Sequence, residues 1–301
     1  MRAHRAAVAV AGLAAAIGLV SAPPSDGLGT SPPAAIAAVR QVPSALGHRN
    51  IFPRRILVAY YGTATTASLG VLGEAPPDEI TKRLRRTSRP YFRAGRNVQI
   101  VYELIVTIAD GSAGSDGDYS HDIARSSVKK YIRAGRRNDA LVVLDLQPGR
   151  STFPSVARRW AWALKKPHVG LALDPEWRMG PNDVPAQTVG SVGAKEVNRT
   201  SRWLARLTRS RDLPAKVFVI HQFRTDMVEH IRRIKGRRPL AMIQHVDGFG
   251  SQAQKKATYH NVAKPRQFHM GFKLFYDEDS DLFRPREVLR LRPRVEYVSY
   301  Q

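Results

Sequence analysis

The nine residues Val169-Gly170-Leu171-Ala172-Leu173-Asp174-Pro175-Glu176-Trp177 run from a short apolar segment into an acidic end. Side chains alternate along a strand, so Gly170, Ala172, Asp174 and Glu176 share one face and Val169, Leu171 and Leu173 the other. Small residues on one side and branched aliphatics on the other suit a barrel strand, whose inner face is crowded and whose outer face is covered by helices. Seven further runs read as strands, at 56–61, 98–108, 140–146, 216–221, 240–246, 270–276 and 295–300. Helical patterns separate them at 78–91, 120–134, 155–165, 192–209, 225–234 and 252–262, with a shorter one at 285–289. Eight strands alternating with seven helices in about 250 residues predict one (β/α)8 TIM-type barrel over 54–301 in an α/β chain, with the eighth helix missing. An open doubly wound sheet competes, but the first turn, Tyr60-Tyr61-Gly62-Thr63, has no glycine-rich phosphate-binding pattern.

Working outward, residues 1–22 carry Arg2 and Arg5, then an apolar run over 6–20 and the small-residue site Val20-Ser21-Ala22. That order is an export signal, and the run is shorter than the ~18 to 20 residues that span a bilayer. The expected mature protein is secreted or cell-wall associated, with no stable membrane span after cleavage. Residues 23–53, rich in Pro, Ala, Ser and Gly, read as a linker.

The chain has no cysteine, which excludes thiol nucleophiles, disulfides and Cys-ligated zinc. Its 48 Lys and Arg against 25 Asp and Glu give a net charge of +23. Basic clusters such as Lys82-Arg83-Leu84-Arg85-Arg86, Arg158-Arg159 and Arg232-Arg233 fall on expected helices outside the barrel, and no nucleic-acid recognition motif accompanies them. Solvated faces account for them better than specific nucleic-acid binding. Anionic cell-wall polymers are the expected electrostatic partners of an exported basic chain.

A TIM barrel keeps its chemistry at the C-terminal ends of its strands. Strand parity brings Tyr61, Asp145 and Gln147, Asp174 and Glu176, His221, His245 and Asp247, Lys273 and Gln301 to that end. Glu103 belongs to the long second run, and the pattern does not fix its depth. Carboxylates across a cleft serve as acid and as nucleophile or base in cutting a glycosidic bond. Glu176 is the expected proton donor, its proton affinity raised by Asp174, and Asp145 or Asp247 the second carboxylate. His221 or His245 would orient one of them. Tyr60 or Tyr61, Trp177, Phe249 and Tyr276 are available to stack on sugar rings. Substrate contacts are expected from Tyr61, Gln147, Trp177, His221, His245, Lys273, Tyr276 and Gln301.

The stretch 169–177 also resembles the fourth-strand signature of chitinase-like glycoside hydrolases. In that family the closing glutamate is the acid and the aspartate two before it assists the substrate acetamido group, roles that would fall on Glu176 and Asp174. The earlier acidic positions of the signature are Val169 and Ala172 here, and Pro175 stands in place of an aromatic residue. The blocks Leu144-Asp145-Leu146-Gln147-Pro148-Gly149-Arg150, His221-Gln222-Phe223, Asp247-Gly248-Phe249-Gly250 and Gly271-Phe272-Lys273-Leu274-Phe275-Tyr276 resemble uncharacterised exported barrel proteins of high-GC Gram-positive bacteria, which implies export and a barrel.

These features predict a secreted glycoside hydrolase-like protein acting on a polysaccharide or cell-wall glycan, with no cofactor and no metal. A non-catalytic carbohydrate-binding or cell-envelope barrel is one alternative. A metal-dependent hydrolase built on His221, His245, Asp174 and Asp247 is another. The acidic loops 110–118 and 277–281 could hold calcium, though neither matches the full twelve-residue calcium loop.

Overall fold

The apolar runs pair side by side into a closed cylinder. The computed structural model of the chain describes residues 51–53 and 55–301. Its eight long strands are β1 (Ile56–Gly62), β2 (Val98–Ala109), β3 (Leu141–Leu146), β4 (Val169–Leu173), β5 (Lys216–His221), β6 (Leu240–Val246), β7 (His269–Leu274) and β8 (Val295–Tyr300). Each pairs in parallel with its sequence neighbours, and β1 pairs with both β2 and β8, which closes the barrel. The expected TIM-type fold is the observed one. The export signal and most of the linker lie outside the described residues. Ile51 and Phe52, assigned by composition to the linker, are instead buried with the interior side chains. No helix among the described residues is long and apolar enough to cross a membrane.

The helices are α1 (Pro77–Arg93), α2 (Arg125–Asn138), α3 (Phe153–Arg159), α4 (Ala161–Leu164), α5 (Ala194–Ser210), α6 (Gln252–Val262) and α7 (Pro285–Arg290). Three boundaries differ from the sequence pattern, each for a local reason. Ser120–Asp122 forms a short strand antiparallel to the end of β2, so α2 starts only at Arg125 and the long second run is explained as a strand rising into a hairpin. The helix expected at 155–165 breaks at Trp160, whose indole N–H donates to the Thr107 hydroxyl at 3.0 Å. The helix expected at 225–234 does not form. His230 adopts a left-handed conformation (φ 54°) that interrupts a right-handed helix, and Val228–Glu229 pairs with Val192–Gly193 between two short 3-10 turns.

Two apolar cores result. The larger lies between strands and helices, and the smaller fills the barrel with Leu57, Ala59, Val101, Leu141, Val143, Ala172, Val217, Val219, Ile243 and Tyr297. Parity therefore holds around the cylinder. Above the inner apolar layer the inward positions turn polar, and the site begins there.

Candidate active site

The polar layer is a buried network centred on His221, at the end of β5. Its Nδ1 lies 2.9 Å from Asp247 Oδ2 and its Nε2 lies 3.1 Å from Glu103 Oε1. The Tyr297 hydroxyl donates to Glu103 Oε2 at 2.8 Å, and the Tyr61 hydroxyl donates to Asp145 Oδ2 at 2.7 Å. Asp145 Oδ1 is 3.9 Å from His221 Nε2 and has no hydrogen-bond partner among the described residues. Strands β2, β5 and β8 and the residue that follows β6 thus each contribute one link of a continuous chain, Tyr297–Glu103–His221–Asp247.

Charge states follow from competition between burial and neighbours. Burial alone would lower the proton affinity of His221, but Glu103, Asp247 and Asp145 outweigh it and hold the imidazolium well above the usual histidine range. Asp247 shows the reverse balance: burial would raise it, yet the hydrogen bond and charge of His221, helped by Lys273, lower it. Asp145 is raised by burial, and Asp174 is pushed well above the carboxylate range for the same reason. His245 is driven well below the histidine range by burial and by the His221 cation, so its ring is neutral, 2.7 Å from the Ser299 hydroxyl. Gly271 makes that ring position possible, because a Cβ there would collide with His245 Nδ1.

Glu176 stands at the mouth as expected, but on a turn and not on the strand. β4 ends at Leu173, and Pro175–Trp177 forms a 3-10 turn that carries Glu176 to the partly exposed mouth. Burial and the Asp247 charge push its carboxyl up to about 7. Asp247 thus joins Asp174 as a carboxylate that repels it, Asp174 and Glu176 each resisting ionisation of the other. Lys273 lies at the same end, its Nζ 3.4 Å from the Tyr61 ring centroid and 4.9 Å from that of Phe275. Among the described residues no carboxylate stands within ion-pair distance of it.

Several other expected roles are corrected by placement. His221, His245 and Asp145 are completely buried and engage interior partners, which removes them from direct substrate contact, and Asp174 is 2% exposed. Gln147 is buried and accepts a hydrogen bond from the Ala109 amide of β2 at 3.2 Å. Tyr276 does not join the cluster: its ring stacks on Tyr300 at 5.5 Å, and Tyr300 faces the helix layer. Tyr60 also faces that layer and bonds Thr87 of α1. Trp177 is half-buried beside Glu176, Gln301 is partly exposed and ties its backbone to Leu274 and Tyr276, and Phe249 is exposed with its ring against Phe275. A cavity of about 590 Å³ opens beside Leu72, Pro76 and Tyr131, and one of about 420 Å³ among Arg232, Lys264 and Arg266. No residue of the His221 cluster lines either.

Tyr297 and Ser299 are network positions that the sequence pattern did not single out, and Glu103 is one whose depth it left open. Parity along 101, 103 and 105 points Glu103 inward, but its depth needs the register Tyr61↔Glu103. The pattern does not single out Lys255 either. Its amine pairs with Asp279 Oδ1 at 2.9 Å, both side chains fully buried, which ties the connection after β6 to the one after β7. Asp279 is therefore a brace rather than an open calcium ligand. In the other acidic loop Asp118 accepts from Ser120 and Ser151, and Asp110 pairs with His121. Among the described residues no three His, Asp or Glu side chains are arranged to hold a metal ion.

No protein-family model matches the chain. No curated protein matches it. Among solved structures it is similar to XEG5A, a GH5 xyloglucan-specific endo-β-1,4-glucanase from a metagenomic library, in complex with cellotriose. Identity is 10%, with 85% of this chain and 88% of that chain covered at a TM-score of 0.46. The barrel described above rests on this chain's own strand pairing.

Proposed function

We propose that the protein is an exported glycoside hydrolase-like barrel acting on a polysaccharide or cell-wall glycan, with Glu176 as proton donor and Asp247 as the ionised partner. The observation that carries the reading is the divergence of two carboxyl groups at one end of the barrel. Glu176 is raised to about 7 and Asp247 is lowered by His221, so at neutral pH the first keeps its proton in about half of the molecules while the second is ionised. A protonated carboxyl can donate to the glycosidic oxygen as the bond breaks, and an anionic one can attack the sugar carbon or activate water. Trp177 and Phe249 offer ring faces at the same end. Asp174 and Asp145 act from within, as buried neighbours of the pair. The export signal read over 1–22 supports action outside the cell, and the net charge supports attraction to anionic wall polymers.

A non-catalytic carbohydrate-binding barrel is the second reading, favoured by the depth of the network: most of its polar side chains are sealed from solvent. Glu176→Gln separates the two. A screen against soluble and wall polysaccharides that finds turnover in the wild type, and lost turnover with retained binding in the variant, supports the enzyme. Binding without turnover in both proteins supports the second reading.

A further inference from the structure

All eight barrel strands are parallel, so the seven connections that enter strands β2 to β8 meet at one end of the barrel, opposite Glu176. Each connection, or the last helical turn before it, carries an exposed Lys or Arg: Arg93, Arg136, Lys165, Arg211, Arg238, Arg266 and Arg294. None of the seven stands in an ion pair with another described residue. The same stretches hold fewer carboxylates: Asp139, Asp212, Glu287 in α7, and Asp226 and Glu229 in the stretch between β5 and β6 that has no α-helix. The connections leaving the strands hold the opposite charge, with Asp110, Asp116, Asp118, Asp183, Asp277 and Asp281 among them. The large positive charge of the chain is therefore sorted along the barrel axis.

We infer that this basic end docks on an anionic phospholipid surface. Three observations favour a lipid plane over a single polymer strand. The cations are spread around the whole circumference, one connection after another, where a polymer would need them along a groove. Six of the seven are arginines, whose planar guanidinium forks match phosphate oxygens. The cavity of about 420 Å³ lies at this end, lined by Arg232, Lys264 and Arg266, and offers a cationic recess for one phosphate headgroup. Ile51 and Phe52 fill the same end from inside. Docking in this way turns the Glu176 mouth away from the bilayer. The inference does not depend on the glycan reading.

The test uses the chain from Pro23 onward, the expected mature protein, and among the described residues both cores are built from Ile51 to Tyr300. Sedimentation with vesicles of phosphatidylglycerol and phosphatidylcholine is compared with vesicles of phosphatidylcholine alone, at low and high salt. The wild type should bind the anionic vesicles at least tenfold more tightly, and less so at high salt. The triple variant Arg211→Glu, Arg238→Glu, Arg266→Glu should lose that preference. Arg133→Glu, Arg202→Glu, Arg206→Glu carries the same charge change on exposed helix flanks and should keep most of it. Circular dichroism checks that both variants fold, and Arg→Gln versions replace any that do not. Equal loss in the two variants would show that net charge alone acts and would overturn the inference. So would equal binding to neutral vesicles, or binding to soluble poly(glycerol phosphate) that the vesicles fail to reproduce.

Discussion

Replacing Glu103 with Gln tests the centre of the network, because the amide keeps the shape of the side chain and removes only its charge. Glu103 Oε1 lies 3.1 Å from His221 Nε2, with both side chains fully buried. At that distance an effective dielectric of about 20 gives a Coulomb attraction of roughly 5 kcal/mol. Removing one partner of a buried pair costs about 3 to 5 kcal/mol, which corresponds to a Tm lower by roughly 6 to 20 °C for a domain of this size. The effect depends on pH with a definite sign. His221 has a folded proton affinity raised above its unfolded value of about 6.5, so its stabilisation is complete below that pH. It is lost as pH rises through the raised folded value. The gap between wild type and Glu103→Gln should accordingly be widest below about pH 6.5 and narrow at alkaline pH. Thermal melts from acid to alkaline pH measure the gap, and nitrogen chemical shifts of His221 report the imidazolium directly. Equal melting temperatures throughout, with His221 still protonated at alkaline pH in the variant, would refute the central role of this pair.

Three further outcomes follow from the same geometry. Gly271→Ala should destabilise the barrel by about 1 to 3 kcal/mol, since the new methyl would press on the His245 ring, and denaturant unfolding measures it. Asp279→Asn leaves the Lys255 ammonium buried without its anion and should cost about 3 kcal/mol or more; unchanged stability would remove the brace between the two mouth connections. If Glu176 is the proton donor, turnover must fall as pH rises through about 7, because the acid is then consumed by ionisation, and a pH–rate profile that stays level to pH 9 would count against it.

The sequence by itself determined the architecture. The alternation of Gly170, Ala172 and Asp174 with Val169, Leu171 and Leu173, repeated on seven other runs, could be satisfied only with one face in a crowded interior and the other under helices. Periodicity is local, and so it survives without knowledge of any partner. It also brought Tyr61, Asp145, Asp247 and Lys273 to one end correctly. It reached the right end for Glu176 as well, although a 3-10 turn after β4 and not the strand itself carries that residue, and it failed at 225–234, where the left-handed His230 ends a helical pattern.

Only the tertiary structure decided what each polar residue does. Glu103 is far from His221 in sequence, and their contact depends on the stagger of strands around the closed barrel. That contact makes His221 a cation, lowers Asp247 and leaves Asp247 to raise Glu176. Proton affinity is set by distance and burial, and neither is a property of a residue in its own sequence neighbourhood. The charge behaves in the same way: composition gives its size, and only parallel closure of eight strands gathers the entering connections, with their arginines, at one end.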